Sequence, residues 1–573
     1  MTKFILKHKN LILSIAVNLI ISTLILVFYG LFFGQGDDYY FAQNIAKGNY
    51  NYIFCSYFIQ WISGMLQQII HPYNAFLFLQ LFFNFVSLTT ICYVFLSTFG
   101  TGKGIMFSLI LEAIFSLNFY AHVTFTHTAA ALLVAGTLLM IWAYHSNKGI
   151  AYQIAGIIFI LFGSFYRFDI FYSVMAVFAV FIFAHLLSKL RQNGKWQFLG
   201  LIKKIFTAKN IIVLVSMLAV VFSFQFLSTT IIDSYEGLDY YREYNNVRSG
   251  AVDYDIPLYD LHKEEYENIG ISENDFQMLR GWYFDDEGYA SLETLTEISN
   301  LQSKYSIGVV NALKNMVVVE LRQVLTLSPE GLMILGFAFV SIAVLAFYKK
   351  SWIYVASLSA IILALYSYLW ITGRCNHRAV LSFLFASVVY LLYTTQFLKQ
   401  RTCILMFKQK KHSGIIAIIL CLILSASAMV LSVPKYNKAF NNKGSETYPA
   451  IEEYILNSEN KTFVLCGNAF MKIRSATALT NSQYADHIIF EKCVYYGTPY
   501  YAHPCYIEKL NNAGINNLYV DIIDNDNIYL IDNGDIDMLV TYLNEQYGDN
   551  ASYGYTLVDN IDGFNIYKVI SIR

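Results

Sequence analysis

Two adjacent carboxylates, Asp37 and Asp38, follow the first long apolar run in the segment Gln-Gly-Asp-Asp-Tyr-Tyr at 35–40. Two carboxylates beside lipid cost desolvation energy unless they cap a helix, bind a metal ion or act as a base. Asp38 alone could be the N-cap of a helix that begins at Tyr39, which would stabilise the helix by about 1 kcal/mol. Because one aspartate is enough for a cap, the pair is predicted to have a chemical role.

Short turns between later apolar runs carry ionisable side chains of both signs. By the parity of the apolar runs, these turns lie on the same side as the aspartate pair. Together with Tyr39, the candidate substrate-binding residues are His122, Arg167, Asp169, Arg374, His377 and Arg378. Charged groups of both signs on one leaflet predict an outward-facing cavity at the lipid boundary.

Arg374 and Arg378 are four residues apart, a spacing that would put both on one helix face. Two guanidinium groups at a helix N-terminus suit a phosphate or pyrophosphate, because the free N–H groups of the helix end add to the attraction. The alternative is that both arginines reach anionic lipid head groups. Arg167 and Asp169 have an alternative too, since they could simply pair with each other and stabilise a turn.

The composition decides which solvent this chain needs. Of its 573 residues, 56% are hydrophobic and 14% are charged, against about 25% charged in a typical soluble domain. The mean hydropathy is +0.45. A soluble protein of this size could not cover so much apolar side chain, so a cytosolic enzyme, a nucleic-acid binder and a disordered scaffold are excluded.

Apolar runs long enough to cross about 30 Å of hydrocarbon predict a polytopic α-helical membrane protein. Eleven such runs are found, at 11–33, 74–97, 105–121, 128–144, 150–166, 170–187, 211–231, 331–347, 352–371, 379–397 and 413–433. The segments on the side of the N-terminus hold 18 basic residues and no acidic ones, and 39 of the 40 acidic residues lie on the other side. This bias predicts a cytoplasmic N-terminus and an extracellular C-terminus in the plasma membrane.

The polar segments are predicted to lie outside the membrane domain of 1–433 or at its surface. A first outer loop, 34–73, contains two helical patterns at 39–47 and 55–70 that suit helices lying in the interface. In the large outer loop, 232–328, Ser272 and Asp275 predict a capping box, and a second helix is predicted at 291–302.

The tail, 434–573, is predicted to be an extracytoplasmic α/β domain because its hydrophobic period alternates between helix and strand. Helices are expected at 447–457, 469–478 and 534–547, and strands at 462–466, 516–521, 527–531, 553–558 and 563–570. Cysteines are few and have no zinc spacing, and Cys493 and Cys505 could form a disulfide or stay free thiols.

The Asp37-Asp38 pair past span one, the two interfacial helices and the extracytoplasmic tail resemble the GT-C superfamily of membrane glycosyltransferases. The segment 240–296 also resembles polytopic envelope proteins of low-GC Gram-positive bacteria. That similarity rests on Tyr-Asp-Ile-Pro at 254–257, Ile-Ser-Glu-Asn-Asp-Phe at 271–276 and Trp-Tyr-Phe-Asp at 282–285. No Trp-Trp-Asp motif of the oligosaccharyltransferase type is found.

The GT-C resemblance implies a sugar transferase that uses a polyprenyl-phosphate donor on the outer face of the membrane. Asp37 or Asp38 would be the base that deprotonates the acceptor hydroxyl, and the transfer would invert the anomeric centre. Arg374 and Arg378 would stabilise the departing lipid phosphate, and the other candidate residues would line the site. The acceptor would be a cell-envelope glycan. A divalent cation, Mg²⁺ or Mn²⁺, at Asp37 is compatible with this chemistry but not required by it.

Two other function classes are open at this point. A carrier, flippase or assembly protein for lipid-linked envelope glycans should show broken spans or paired halves with charges at mid-depth. The spans here are nearly uninterrupted, and their charges gather at one face, Glu112 excepted. A glycan polymerase or ligase would use the outer arginines and the large loop, but would not need Asp37 and Asp38.

Overall fold

The long apolar helices dominate the computed structural model, which describes residues 8–31, 37–71, 73–192, 208–254, 256–305, 308–400, 448–467, 469, 473, 492–497, 500–532, 534, 536–548 and 551–572. Within this part, nine helices are long and apolar enough to cross a membrane. They are α1 (Lys9–Tyr29), α4 (Ala75–Phe99), α5 (Thr101–Tyr120), α6 (Phe125–His145), α8 (Phe168–Gln192), α9 (Ala208–Asp233), α16 (Pro329–Phe347), α17 (Trp352–Ile371) and α18 (His377–Thr394). A tenth apolar helix, α7 (Ile150–Tyr166), is shorter. The protein is therefore a multi-pass membrane protein, and ten of the eleven predicted runs are helices; the eleventh, 413–433, lies outside the described residues.

Helices α6 and α18 form the centre of the bundle, where almost every side chain is buried. Helix α6 packs closely on α7 because small residues face each other. A Cβ atom on Gly136 would come within 2.6 Å of the carbonyl oxygen of Gly156, so neither position has room for a side chain. Close approach through small residues is a usual way for helices to associate in lipid, where burial of apolar surface gives little driving force.

Two short helices follow α1, as predicted for the first outer loop. Helix α2 (Asp37–Ala46) begins at the aspartate pair, and Ser56 caps α3 (Tyr57–Ile69) by accepting a hydrogen bond from the backbone N–H of Phe58. Trp61, Met65 and Ile69 of α3 are exposed, which gives the helix the apolar face expected of one that lies at a membrane interface.

The large outer loop is helical through most of its length. It contains α10 (Leu238–Val252), α11 (Lys263–Asn268), α12 (Glu273–Arg280), α13 (Glu287–Ala290), α14 (Leu292–Lys304) and α15 (Val309–Thr326). The capping box at the start of α12 is confirmed, since Ser272 and Asp275 each accept a hydrogen bond from the other's backbone N–H. Helix α15 was not predicted; it carries an exposed apolar face and packs on α16 and α17.

The tail contains a five-stranded sheet with the strand order β2–β1–β3–β5–β4. Its elements are α19 (Pro449–Asn457), β1 (Thr462–Leu465), β2 (Cys493–Tyr495), α20 (Pro504–Asn512), α21 (Leu518–Asp524), β3 (Ile528–Asp532), α22 (Ile536–Tyr547), β4 (Ser552–Ile561) and β5 (Phe564–Ile572). Strands β2, β1 and β3 are parallel, whereas β5 is antiparallel to both β3 and β4. The expected α/β character of the tail is thus confirmed.

One predicted strand of the tail differs from the structure, whereas the two cysteines match the free-thiol alternative. The strand predicted at 516–521 is wrong: Asn517 accepts hydrogen bonds from the N–H groups of Tyr519 and Val520 and so starts helix α21 instead. Cys493 and Cys505 are free thiols, so they form no disulfide. Of the helix predicted at 469–478, only residues 469 and 473 are described.

The large outer loop packs against the tail. The rings of Tyr283 and Tyr496 lie 4.3 Å apart, and the carboxylate of Asp285 accepts hydrogen bonds from Tyr506 Oη at 2.7 Å and Gly497 N–H at 3.1 Å. Burial raises the pKa of Asp285 to about 6, and these two hydrogen bonds counteract the increase. The loop and the tail therefore form one polar body next to the helix bundle.

Candidate active site at the membrane surface

Asp38 is fully buried where α2 meets the N-terminus of α6. Its Oδ1 accepts a hydrogen bond from the backbone N–H of Phe125 at 2.8 Å and another from Nε2 of Gln80 at 3.2 Å. Its other oxygen, Oδ2, is buried and has no hydrogen-bond partner among the described residues. A carboxylate at a helix N-terminus meets free N–H groups and a favourable dipole. Asp38 therefore fastens α2 to α4 and α6.

Burial also controls the charge of Asp38. Desolvation raises the pKa of Asp38 to about 7, and the neighbouring carboxylate of Asp37 acts in the same direction. The guanidinium of Arg378 opposes this increase, as do the two hydrogen bonds to Asp38. Arg378 thus lies within electrostatic range of the aspartate pair, although it is more than 300 residues away in sequence.

Asp37 is only partly buried, in contrast to Asp38. Its Oδ1 accepts a hydrogen bond from the hydroxyl of Tyr500 at 3.0 Å, which joins the first turn of α2 to the tail. Asp37 also interacts with Arg167. Burial lowers the pKa of Arg167 and the positive charge of Arg378 adds to this effect, while Asp169 and Asp37 oppose it.

Arg167 and Arg378 bring positive charge to the same place. Arg167 stands between α7 and α8, with its guanidinium carbon 5.3 Å from the centre of the Phe125 ring. Arg378 lies in the first turn of α18, and its Nη1 is buried without a hydrogen-bond partner in the described part of the chain. Two carboxylates and two guanidinium groups, carried by α2, α18 and the α7–α8 turn, therefore converge at one end of the bundle.

Arg374 lies elsewhere, which corrects the prediction of a shared helix face. Helix α18 begins at His377, so Arg374 belongs to the preceding turn rather than to the helix. Its guanidinium forms an ion pair with Asp253 at 2.8 Å and donates to Ser249 Oγ at 3.0 Å. Asp253 also pairs with the buried Arg248 at 3.0 Å. Arg374 thus holds the large outer loop against the bundle.

The histidines form a polar cluster beside Arg378. Nδ1 of His127 lies 2.9 Å from the carbonyl oxygen of Asn118 and 3.0 Å from that of His122, and Nε2 of His377 lies 3.2 Å from Oδ1 of Asn118. Burial lowers the pKa of His122 to about 3, and His127 adds to this effect. His122 is therefore neutral at pH 7 and can contribute ring nitrogens but no charge.

Two other predicted residues have less defined positions. Asp169 is largely exposed, and its carboxylate lies 3.7 Å from Nε of Arg167, a loose ion pair that allows Arg167 to interact with other anions. The backbone of Tyr39 belongs to α2, and its side chain lies outside the described part.

Two residues of the site, Gln80 and Tyr500, were not predicted from the sequence. Gln80 had a signal, because an amide inside an apolar run is costly without a partner. Tyr500 had none, since it is one of 45 tyrosines and lies 463 positions from its partner Asp37.

Metal-ligating side chains meet at a different place. Among the described residues, the one group of three His, Cys, Asp or Glu side chains whose ligand atoms lie within 4.8 Å of one another is Glu320, Glu330 and Cys375. None of these is a predicted site residue.

Two solved structures are similar to the chain. The crystal structure of ArnT from Cupriavidus metallidurans bound to undecaprenyl phosphate is 12% identical, with a TM-score of 0.42, and the match covers 97% of each chain. The apo state of the same protein is 11% identical, with a TM-score of 0.40 and the same coverage. No protein-family model and no curated protein matches the sequence.

Proposed function

We propose that the protein is a glycosyltransferase that moves a sugar from a polyprenyl-phosphate donor to a cell-envelope glycan on the outer face of the membrane. One observation carries the proposal: Asp37 and Asp38 converge with Arg167 and Arg378 at one end of an apolar helix bundle. A donor with a lipid tail would place its phosphate and its anomeric carbon at this depth. A base and a phosphate site are the two groups that such a transfer needs.

The two aspartates differ in their surroundings, and this difference supports separate roles for them. Asp38 is fully buried and already accepts two hydrogen bonds that fix α2, so it positions its neighbour. Asp37 is partly exposed, and its hydrogen bond from Tyr500 can be exchanged for one from a substrate hydroxyl. Asp37 is therefore the proposed general base, and Asp38 the proposed positioning residue.

The proposed transfer is a single displacement. A carboxylate oxygen of Asp37 accepts the proton of the acceptor hydroxyl while the hydroxyl oxygen forms a bond to the anomeric carbon. The bond between that carbon and the donor phosphate breaks, and the electron pair leaves with the polyprenyl phosphate. Arg167 and Arg378 stabilise the charge that develops on the phosphate, and attack opposite the leaving group inverts the anomeric configuration.

The partly unsatisfied Arg378 supports this assignment of the phosphate site. A buried guanidinium N–H without an acceptor costs free energy, which a bound phosphate would recover. Arg374, in contrast, already pairs with Asp253. In this proposal the phosphate site therefore consists of Arg378 and Arg167, rather than Arg374 and Arg378.

The test is a deletion strain complemented with wild type, Asp37→Asn or Asp38→Asn, with the envelope glycan analysed by mass spectrometry. We expect the deletion to lose one sugar substituent, wild type to restore it, and an equally expressed Asp37→Asn variant to fail. Asp38→Asn should restore it in part, because the amide oxygen can still accept both hydrogen bonds.

Purified protein separates the alternatives. In detergent with a radiolabelled polyprenyl-phosphate sugar, the enzyme should release polyprenyl phosphate only when an acceptor glycan is present. Full rescue of the glycan by Asp37→Asn would refute the base. An unchanged glycan in the deletion strain, with no transfer in vitro, would favour a carrier or assembly role. Activity that EDTA removes and Mg²⁺ or Mn²⁺ restores would show a cation requirement.

A further inference from the structure

A cavity of about 490 Å³ opens between the first outer loop and the tail. One wall consists of α2 and the segment that follows it, and the opposite wall consists of β2, α20, Tyr500 and His503. Tyrosine rings and side-chain amides line the cavity, among them Tyr40, Gln43, Asn44, Tyr52 and Tyr495. None of the residues proposed as the base or the phosphate site lines this cavity.

The walls combine flat rings with amides. The rings of Tyr40 and Tyr500 lie 4.3 Å apart, and Tyr52 stacks on His503 at 5.0 Å. Burial lowers the pKa of His503 to about 4, so its ring is neutral at pH 7 and contributes no charge to the wall. Aromatic faces can cover the C–H surface of a sugar ring, and side-chain amides can pair with its hydroxyls.

Tyr500 connects this cavity to the proposed base. Its ring forms part of the wall, and its hydroxyl donates a hydrogen bond to Oδ1 of Asp37 at 3.0 Å. A hydroxyl that replaced that of Tyr500 would therefore donate to the same carboxylate oxygen. Tyr500 thus stands between the cavity and the carboxylate that would take a proton from the acceptor.

We propose that this cavity is the acceptor subsite and that it binds an uncharged saccharide unit, whose hydroxyl displaces the Tyr500 hydroxyl from Asp37. The inference rests on the proposed function for the identity of the reaction, but sugar binding in the cavity can be measured without it. The charges at the rim support an uncharged saccharide. Glu508 accompanies Lys47 and Lys509, so the excess of positive charge is small for a cavity of this size.

Asn512 offers a variant with a matched control. Asn512, at the end of α20, lines the cavity, whereas the adjacent Asn511 does not, and both side chains are exposed. Asn512→Trp should therefore fill the cavity, while Asn511→Trp adds the same bulk outside it. Both substitutions are at the surface, so neither should affect folding.

The binding test uses the full chain in detergent and saturation-transfer NMR with methyl glycosides of glucose, galactose, N-acetylglucosamine and rhamnose at millimolar concentration. We expect at least one glycoside to receive saturation from wild type and from Asn511→Trp, and a loss of at least fivefold in Asn512→Trp. The proposal is overturned if no glycoside receives saturation or if Asn512→Trp binds as well as its control.

The kinetic test separates this inference from the proposed function. In the transfer assay, Asn512→Trp should raise the KM for the acceptor at least tenfold and leave the KM for the lipid donor within twofold of wild type. Equal acceptor KM values in the two tryptophan variants would overturn the subsite while leaving the transferase intact. Sugar binding without any transfer would support the subsite and refute the proposed reaction.

Discussion

At the scale of the residue, the environment of each charged group separates residues that look equivalent in sequence. Asp37 and Asp38 are neighbours, yet one is partly exposed beside Tyr500 and the other is buried under α6. Arg374 and Arg378 are four residues apart, yet of the two only Arg374 has a carboxylate of the described residues within ion-pair distance. These differences give two predictions.

The first concerns the two arginines as a matched pair. Arg378→Gln should lower kcat/KM for the lipid donor by about 100-fold or more, since removal of one preorganised donor from a developing charge typically has that effect. Arg374→Gln should change it by less than about fivefold, because an exposed ion pair contributes little. Steady-state kinetics of the two purified variants would check this, and equal losses would show that both arginines meet the phosphate.

The second concerns Asp38 and pH. Burial raises the pKa of Asp38 to about 7 in the folded protein, against about 4 in the unfolded chain. Between pH 4 and pH 7 the folded state therefore binds more protons than the unfolded state. The contribution of Asp38 to stability is therefore lost as pH rises from 4 to 7. Asp38→Asn should have a higher melting temperature in detergent than wild type at pH 8, and the difference should shrink towards pH 4.

A parallel scan of Asp37→Asn is the control for that measurement, since Asp37 is less buried. A melting temperature of Asp38→Asn below that of wild type at every pH would show that Asp38 is stabilised as an anion, by Arg378 above all. In that case the carboxylate and the guanidinium would be a structural ion pair, and the phosphate site would depend on Arg167.

At the scale of the element, the sequence predicted most helices and few of their contacts. Long apolar runs can satisfy their backbone hydrogen bonds in lipid only as helices, so α1, α4 and α16 are fixed by their composition. The interfacial helices and the capping box at Ser272 were predicted for similar local reasons. Helix α21 was missed because Asn517, as N-cap, decided the conformation of an apolar segment that also suits a strand.

The contact between α10 and the turn before α18 gives the third prediction. Asp253 pairs with both Arg248, which is 4% exposed, and Arg374, which is 46% exposed. Asp253→Ala leaves Arg248 buried without its counter-charge, which costs about 3–5 kcal/mol, whereas Arg374→Ala should cost about 1 kcal/mol or less. Thermal unfolding in detergent should show a much larger decrease for Asp253→Ala.

Hydrogen exchange locates the effect. In Asp253→Ala, exchange should speed up in α10 and in the turn at 372–376, and stay unchanged in α6, which lies at the centre of the bundle. A uniform change along the chain would show that the ion pairs do not hold the loop locally. The same measurement on Arg374→Ala shows how much the exposed ion pair between Arg374 and Asp253 contributes to holding the loop.

At the scale of the whole molecule, composition and charge predicted a membrane protein, and the site could be predicted only in part. Apolar content and the clustering of ionisable groups at alternate turns depend on local sequence, so they could be found without a structure. The partnership of Asp37 with Tyr500 and that of Asp38 with Gln80 depend on packing between distant segments, which no local pattern encodes.

The orientation of the chain gives the fourth prediction. The distribution of basic residues predicts that the turn at 146–149 lies in the cytoplasm and the tail outside. In intact cells, a membrane-impermeant maleimide should label Asn511→Cys above the wild-type signal and should label Asn147→Cys only after permeabilisation. Both positions are exposed. The reverse pattern would place the candidate active site on the cytoplasmic side and exclude an outer-face acceptor.

The hydrogen bond from Tyr500 to Asp37 joins residues 463 positions apart. At a synthesis rate of 5–20 residues per second, the ribosome reaches Tyr500 about 20 to 90 s after Asp37. During that interval the first span and its aspartates can already be inserted in the bilayer while one wall of the cavity does not yet exist. A nascent or truncated chain can therefore insert its first span without completing the cavity, and the bond that ties Asp37 to the tail forms only in the finished polypeptide.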